Sequence, residues 1–150
     1  MKRFSFSLER VLAWRTMQSR MERLRWEQIR AELRGIDEAR KQLQAEKESS
    51  ALRMRASGSA LGVDLQALDR FRAYVDEEAA RLERKRAECE QRMLAQMKVV
   101  TAKERDVKVL EHLRTKRLDT WTAELHREIE QQASEAFLAR WRPQGGGGHG

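Results

Sequence analysis

Helix breakers are almost missing from this chain of 150 residues. It has one proline, Pro143, and its eight glycines are confined to Gly35, to Gly58 and Gly62, and to a run near the C-terminus. From Leu8 to Ala56 the only glycine is Gly35, and from Asp64 to Arg142 there is neither glycine nor proline. Cysteine occurs once, at Cys89, which excludes an internal disulfide framework and fits a reducing compartment. Aromatic residues are 6% of the chain, and strand formers never alternate with a period of two over a useful length, so a sheet is excluded. No window approaches the roughly 18 apolar residues of a membrane span. The apolar residues behind Lys2 and Arg3 are broken at Glu9, Arg10 and Arg15, which is not the pattern of a secretory leader. A cytoplasmic protein is the expectation.

What remains is helix. With 37% charged and 40% hydrophobic residues, the chain is too polar to wrap a thick core and has the profile of a coiled coil. The segment Ser57-Gly58-Ser59-Ala60-Leu61-Gly62-Val63 is the one internal stretch built to turn. The sequence therefore predicts an all-α fold, an antiparallel two-helix coiled coil forming a single hairpin domain over residues 1–142. Helix one covers about 7–56, the turn 57–63, and a longer helix two about 64–142. Residues 143–150 read as a stop and a disordered, glycine-rich tail.

Two start signals support these limits. Ser7 is placed to cap helix one, with Phe6 stapling onto Val11; Asp64 and Val63 repeat the device, with Leu68 as the staple partner. Helix one shows apolar residues at Trp14, Met17, Met21 and Leu24, then shifts phase to Ile29, Leu33, Ile36 and Leu43. Helix two runs through Leu68, Val75, Ala79, Leu82, Cys89, Met93, Val100, Val107 and Leu110, close to 3.5 residues per turn. It then passes through Leu118 to Trp121, Leu125 and Ile129. Breaks in phase of this kind are expected where heptads are spliced. Arg86, Gln96 and Lys103 make the second seam thin.

At 1.5 Å per residue, the helices would be roughly 70 and 115 Å long. If the turn pairs Ala56 with Asp64, Ser7 lies opposite about Leu113, and residues 114–142 project without a partner for roughly 40 Å. That stretch still has an apolar face at Leu118, Trp121, Leu125, Ile129, Ala133, Phe137 and Trp141. An uncovered stripe is a candidate partner surface, or one that folds back or dimerises. Net charge is +7, with basic residues in excess over 1–34 and 81–110 and acidic residues in excess over 64–80. The hairpin would be basic towards the end that holds the N-terminus.

Chemistry is scarce. His112, His126 and His149 have no metal-ligand spacing, Cys89 sits on the seam as a core residue, and no glycine-rich loop cradles a phosphate. Carboxylates sit on solvated faces, three or four residues from bases, as in Glu22–Arg25 and Glu104–Lys108. Neither an enzyme nor a cofactor is expected. A pI of 10.1 with Trp14 and Trp26 at the basic end raises nucleic-acid binding as an alternative. Interleaved acids, and no basic run longer than Arg84-Lys85-Arg86, argue for a solvated face and no nucleic acid. A self-assembling structural coiled coil is the other alternative.

The pattern Phe-x-Phe-x-Leu-Glu-x-Val-Leu-x-x-Arg stands here as Phe4 to Arg15. Downstream lie Lys103-Glu104-Arg105, Val109-Leu110-Glu111-His112-Leu113-Arg114, Arg117, Trp121, Arg127-Glu128-Ile129-Glu130-Gln131-Gln132 and Ser134-Glu135-Ala136-Phe137. With the two-helix layout, these residues resemble the FliJ family, a component of the flagellar type III protein-export apparatus. The resemblance implies a coiled coil similar to the stalk of the rotary ATPase gamma subunit. It implies binding to the hexameric export ATPase FliI and the export gate FlhA, with export chaperones as further partners, at the inner face of the cell membrane. The ATPase-facing residues would be Phe4, Phe6, Leu8, Val11, Leu12, Trp121, Leu125, Ile129 and Phe137. The gate-facing residues would be Phe71, Val75 and Leu82. The tyrosines usual on the facing part of helix one are replaced here around Glu46 and Ser50, and the usual Asp-Glu pair is Ser134-Glu135.

Overall fold

The computed structural model describes residues 2–57 and 62–141, with side chains over 2–56 and 65–141. It is an all-α helical hairpin: α1 spans Glu9–Ser57 and α2 spans Gly62–Arg140, 49 and 79 residues. The helices run antiparallel and α2 is the longer. The centre of the expected turn and the 143–150 tail lie outside the described residues, as do the side chains of Val63 and Asp64. Helix α2 already begins at Gly62, so Asp64 lies inside it and is not its cap. No described helix is long and apolar enough to cross a membrane.

Two compact units make up the chain: residues 17–104, and residues 1–16 with 105–150. In the first, Leu43, Val75 and Leu82 form a buried cluster with Ile36, Ala39 and Phe71 packed against it. Ile29, Cys89 and Val100 continue the buried seam, Val100 at 1% exposure. Each fully buried aliphatic side chain is worth about 1.5–3 kcal/mol, so a handful of them carries most of the hairpin's stability. The Cys89 thiol donates to the Ile29 carbonyl at 3.4 Å, which confirms it as a core residue. Ion pairs fix the register along the rims: Arg86 with Asp37 at 2.8 Å, Arg40 with Glu83 at 3.0 Å, and Arg92 with Glu32 at 2.8 Å. Exposed pairs of this type stabilise little, and their main effect is to select one alignment.

The seam of helix two is largely as expected. Leu68, Met93, Val107 and Leu110 are half-buried, and Arg86, Gln96 and Lys103 occupy seam positions as polar members. Ala79 is exposed and Glu78 takes the inward place beside it. Helix one differs more. Met17, Met21 and Leu24 are 62%, 50% and 57% exposed, and Trp14 is exposed as well. The residues facing α2 are Ser19, Glu22 and Trp26, which continue the three-and-four spacing of Ile29, Leu33, Ile36 and Leu43 without a break. A coiled coil keeps its phase unless residues are inserted, and the strongly apolar Ile29–Leu43 stretch sets it. Of the inward polar groups Glu22 finds a partner, since Gln96 Nε2 donates to its carboxylate at 2.6 Å and to its carbonyl at 3.0 Å, whereas the buried Gln18 Oε1 has no hydrogen-bond partner among the described residues. Glu22 also accepts from Arg25 at 2.9 Å, as expected, whereas Glu104 accepts from Arg23 across the hairpin at 2.9 Å in place of pairing with Lys108.

Candidate interaction surface

In the unit formed by residues 1–16 and 105–150, a non-helical N-terminal segment continues along α2. Glu9 N–H donates to the Phe6 carbonyl, and the helix proper starts with Leu12 N–H on the Leu8 carbonyl. Ser7 therefore does not cap α1. Its hydroxyl accepts from Arg117 at 2.9 Å. Phe6 is buried beneath the Arg117 guanidinium, 5.6 Å from its ring centroid, while Val11 stays exposed, so the expected staple is replaced by a cation–π contact. Phe4 lies between Arg114, 5.7 Å away, and the Trp121 ring, with centroids 5.9 Å apart and planes tilted by 58°. Trp121 Nε1–H donates to the Lys2 carbonyl at 3.1 Å. Arg114 also pairs with Glu9, and Arg15 with Asp106.

This aromatic and arginine latch changes the expected overhang. Ser7 sits opposite Arg117, one turn beyond the anticipated Leu113, and the segment then covers α2 as far as Trp121. Leu118, Trp121 and Leu125 are half-buried. The open stretch is shorter than expected, residues 129–141, about 20 Å at the helical rise. There Ile129, Phe137, Leu138 and Trp141 are all exposed. The latch was hard to read from sequence, since Phe4 and Phe6 matched a helix-start motif equally well. The clue was that Arg114, Arg117 and Trp121 fall on one face of α2 at helical spacing.

The nine residues proposed to face the ATPase thus divide. Phe6 is buried; Phe4, Leu8, Leu12, Trp121 and Leu125 are half-buried; Val11, Ile129 and Phe137 are exposed. Of the three gate-facing residues, Val75 and Leu82 belong to the buried cluster between the helices, and Phe71 keeps accessible surface. Phe71 lines a groove of about 290 Å³ in the 17–104 unit with Lys47, Ser50, Met54, Arg55 and Arg72. Ser50 of α1 and Phe71 of α2, singled out separately in sequence, therefore line the same groove. The groove is open and basic on its rims, suited to an apolar side chain flanked by acids.

Electrostatic perturbation is slight. A hydrogen bond from Arg81 holds the Glu78 carboxyl below its ordinary range, and Glu78 raises Arg81 in return. The Asp37 hydrogen bond raises Arg86. The Arg86–Asp37 pair crosses from α2 to α1 and favours one alignment, whereas Glu78–Arg81 lies within α2. Among the described residues no group of three or more His, Cys, Asp or Glu is placed to hold a metal ion. No family profile, curated protein or solved structure matches this chain.

Proposed function

We propose that this protein is a stalk-like component of the flagellar type III protein-export apparatus. It binds the export ATPase ring FliI, promotes the ring's assembly or activity, and couples it to the export gate FlhA, with export chaperones as additional partners. It works as a cytoplasmic protein held peripherally at the inner membrane face and performs no bond chemistry itself. One observation above all supports this reading. The longer helix of an antiparallel hairpin carries exposed apolar side chains at Ile129, Phe137, Leu138 and Trp141, where nothing in the described chain covers them. Exposed large apolar groups in a cluster mark a surface for a partner. The sequence resemblance at Phe4–Arg15 and through residues 103–137 supplies the identity of that partner, and the excess of basic residues favours an acidic receiving surface.

The test is a pull-down of the export ATPase, with its hydrolysis rate followed as this protein is added. Ile129→Asp with Phe137→Asp should abolish both binding and stimulation while leaving helicity intact, because both positions are exposed. Trp121→Ala is a poorer probe, since it removes the covering of Phe4 as well. Unchanged binding and stimulation by the Ile129/Phe137 double variant would overturn the placement of the interface.

A further inference from the structure

In the unit formed by residues 1–16 and 105–150, the segment that precedes α1 lies on part of the surface expected to receive a partner. Leu118, Trp121, Leu125 and Ile129 recur at three- and four-residue spacing, so they form one row on α2. Residues 2–8 reach along this row as far as Trp121, which is half-buried, while Ile129 at the far end is 53% exposed. Phe4 and Phe6 were expected to face the partner as well. Phe4 is instead turned onto Trp121 and Arg114, and Phe6 lies beneath Arg117. Two sets of side chains suited to a partner therefore cover each other.

The cover is lightly held. Within residues 2–8 only Phe6 is buried, and Lys2, Arg3, Ser5 and Ser7 are exposed. Its ties are single contacts: the Trp121 indole on the Lys2 carbonyl, Arg117 on the Ser7 hydroxyl, and one guanidinium over each phenyl ring. They do not add up to a closed cluster like that of Leu43, Val75 and Leu82. A segment with so few buried apolar contacts opens at a lower free energy than the core. Charge also works against closure. Lys2 and Arg3 are laid along a stretch of α2 that has Arg114, Lys116 and Arg117 against the single acid Asp119. Opening relieves that repulsion, and an acidic partner surface gains by it.

We infer that residues 2–8 are a displaceable strap that keeps Trp121 covered in the free protein, and that a partner seated on Ile129 extends along the row to Trp121 by displacing it. The strap is thus an autoinhibitory element of the docking end, and the inference rests on the function proposed above.

The experiment has two arms, both on the full chain. Exchange of the Trp121 indole N–H with water, followed by nuclear magnetic resonance, reports opening without any partner, because the Lys2 carbonyl holds that group. Its protection over a free indole should be roughly 10- to 1,000-fold, well below that of the amides around Leu82. Phe4→Ala with Phe6→Ala should abolish the protection with unchanged far-ultraviolet circular dichroism. Protection as high as that of the core amides, or none in the wild type, would overturn the inference. The second arm measures the affinity of the export ATPase for the wild type and for the same double variant. Only the open fraction accepts the partner, so the variant should bind at least about tenfold more tightly, by a factor close to the wild-type protection. Equal binding would overturn the inference, and so would weaker binding, which would make Phe4 and Phe6 part of the interface. Binding by neither form would overturn the proposed function, and the exchange arm alone would then uphold or overturn the strap.

Discussion

Two stretches of α1 use their apolar residues in opposite directions. Over Ile29–Leu43 the apolar positions point into the hairpin, and Ile29 and Leu43 are buried. Over Met17–Leu24 the apolar side chains are exposed, and the contact across the hairpin is made by Glu22, which accepts from Gln96. The same helix, at the same spacing, therefore makes a stable seam in one place and leaves a free one in the other. The difference teaches that hydrophobicity alone does not select the core of a thin coil. Phase does, and the phase is fixed where apolar residues on both helices coincide, around Leu43, Val75 and Leu82.

Substitutions can break or sharpen this contrast. The largest effect should come from Leu82→Ala with Leu43→Ala, costing about 4–6 kcal/mol in chemical denaturation, since both residues lie in one buried cluster. Leu24→Ala, outward on the same helix, should change stability by less than about 0.5 kcal/mol. Comparable losses from the two would erase the distinction between the seams. Next in size, Phe6→Ala should cost about 2 kcal/mol or more of local stability, because it empties the space beneath Arg117. Hydrogen exchange should then speed up at residues 4–12 and leave the Ile29–Leu43 amides protected. A double-mutant cycle of Glu22→Ala and Gln96→Ala should give a coupling of about 1.5 kcal/mol, the lower end of what a hydrogen bond to a charged group contributes. Zero coupling would mean that the inward polar pair does not form.

The smallest effect concerns acid. Glu78 is held below its ordinary carboxylate range by Arg81. A depressed folded value adds stability that is present above the unfolded value and lost as pH falls through the folded one. Thermal melts of the wild type should therefore drop slightly on acidification below the normal Glu range. Glu78→Gln should flatten that part of the profile. An identical pH dependence in the variant would show the pair to be inert.

Much of the fold was legible because breakers are absent where helices run and clustered where the chain reverses. The α1 and α2 limits follow from Leu8–Ala56 and from Asp64 onward to within a few residues. The α2 seam was legible too, since Val75, Leu82, Cys89 and Val100 are apolar and in phase. The outward row on α1 was not. Met17, Met21 and Leu24 satisfy a heptad as well as any core residues do, and only their half-turn offset from Ile29 onward separates them. Extending the Leu43–Ile29 spacing backwards through Trp26, Glu22 and Ser19 would have found the true seam, at the cost of accepting polar residues inside it. Of the surface expected to receive a partner, Ile129 and Phe137 emerged exposed, whereas Trp121 was claimed by Phe4 and Lys2 through a segment whose sequence looked like a simple helix start.

The rotation of α1 is the claim on which the two-seam account depends. It is tested most directly by disulfide formation in a Cys89→Ala background, comparing Glu22→Cys/Gln96→Cys with Met21→Cys/Gln96→Cys under mild oxidation. The account predicts rapid intramolecular cross-linking of the first pair and none of the second. Cross-linking of the Met21 pair with no reaction at Glu22 would contradict it, because the methionine row would then face α2.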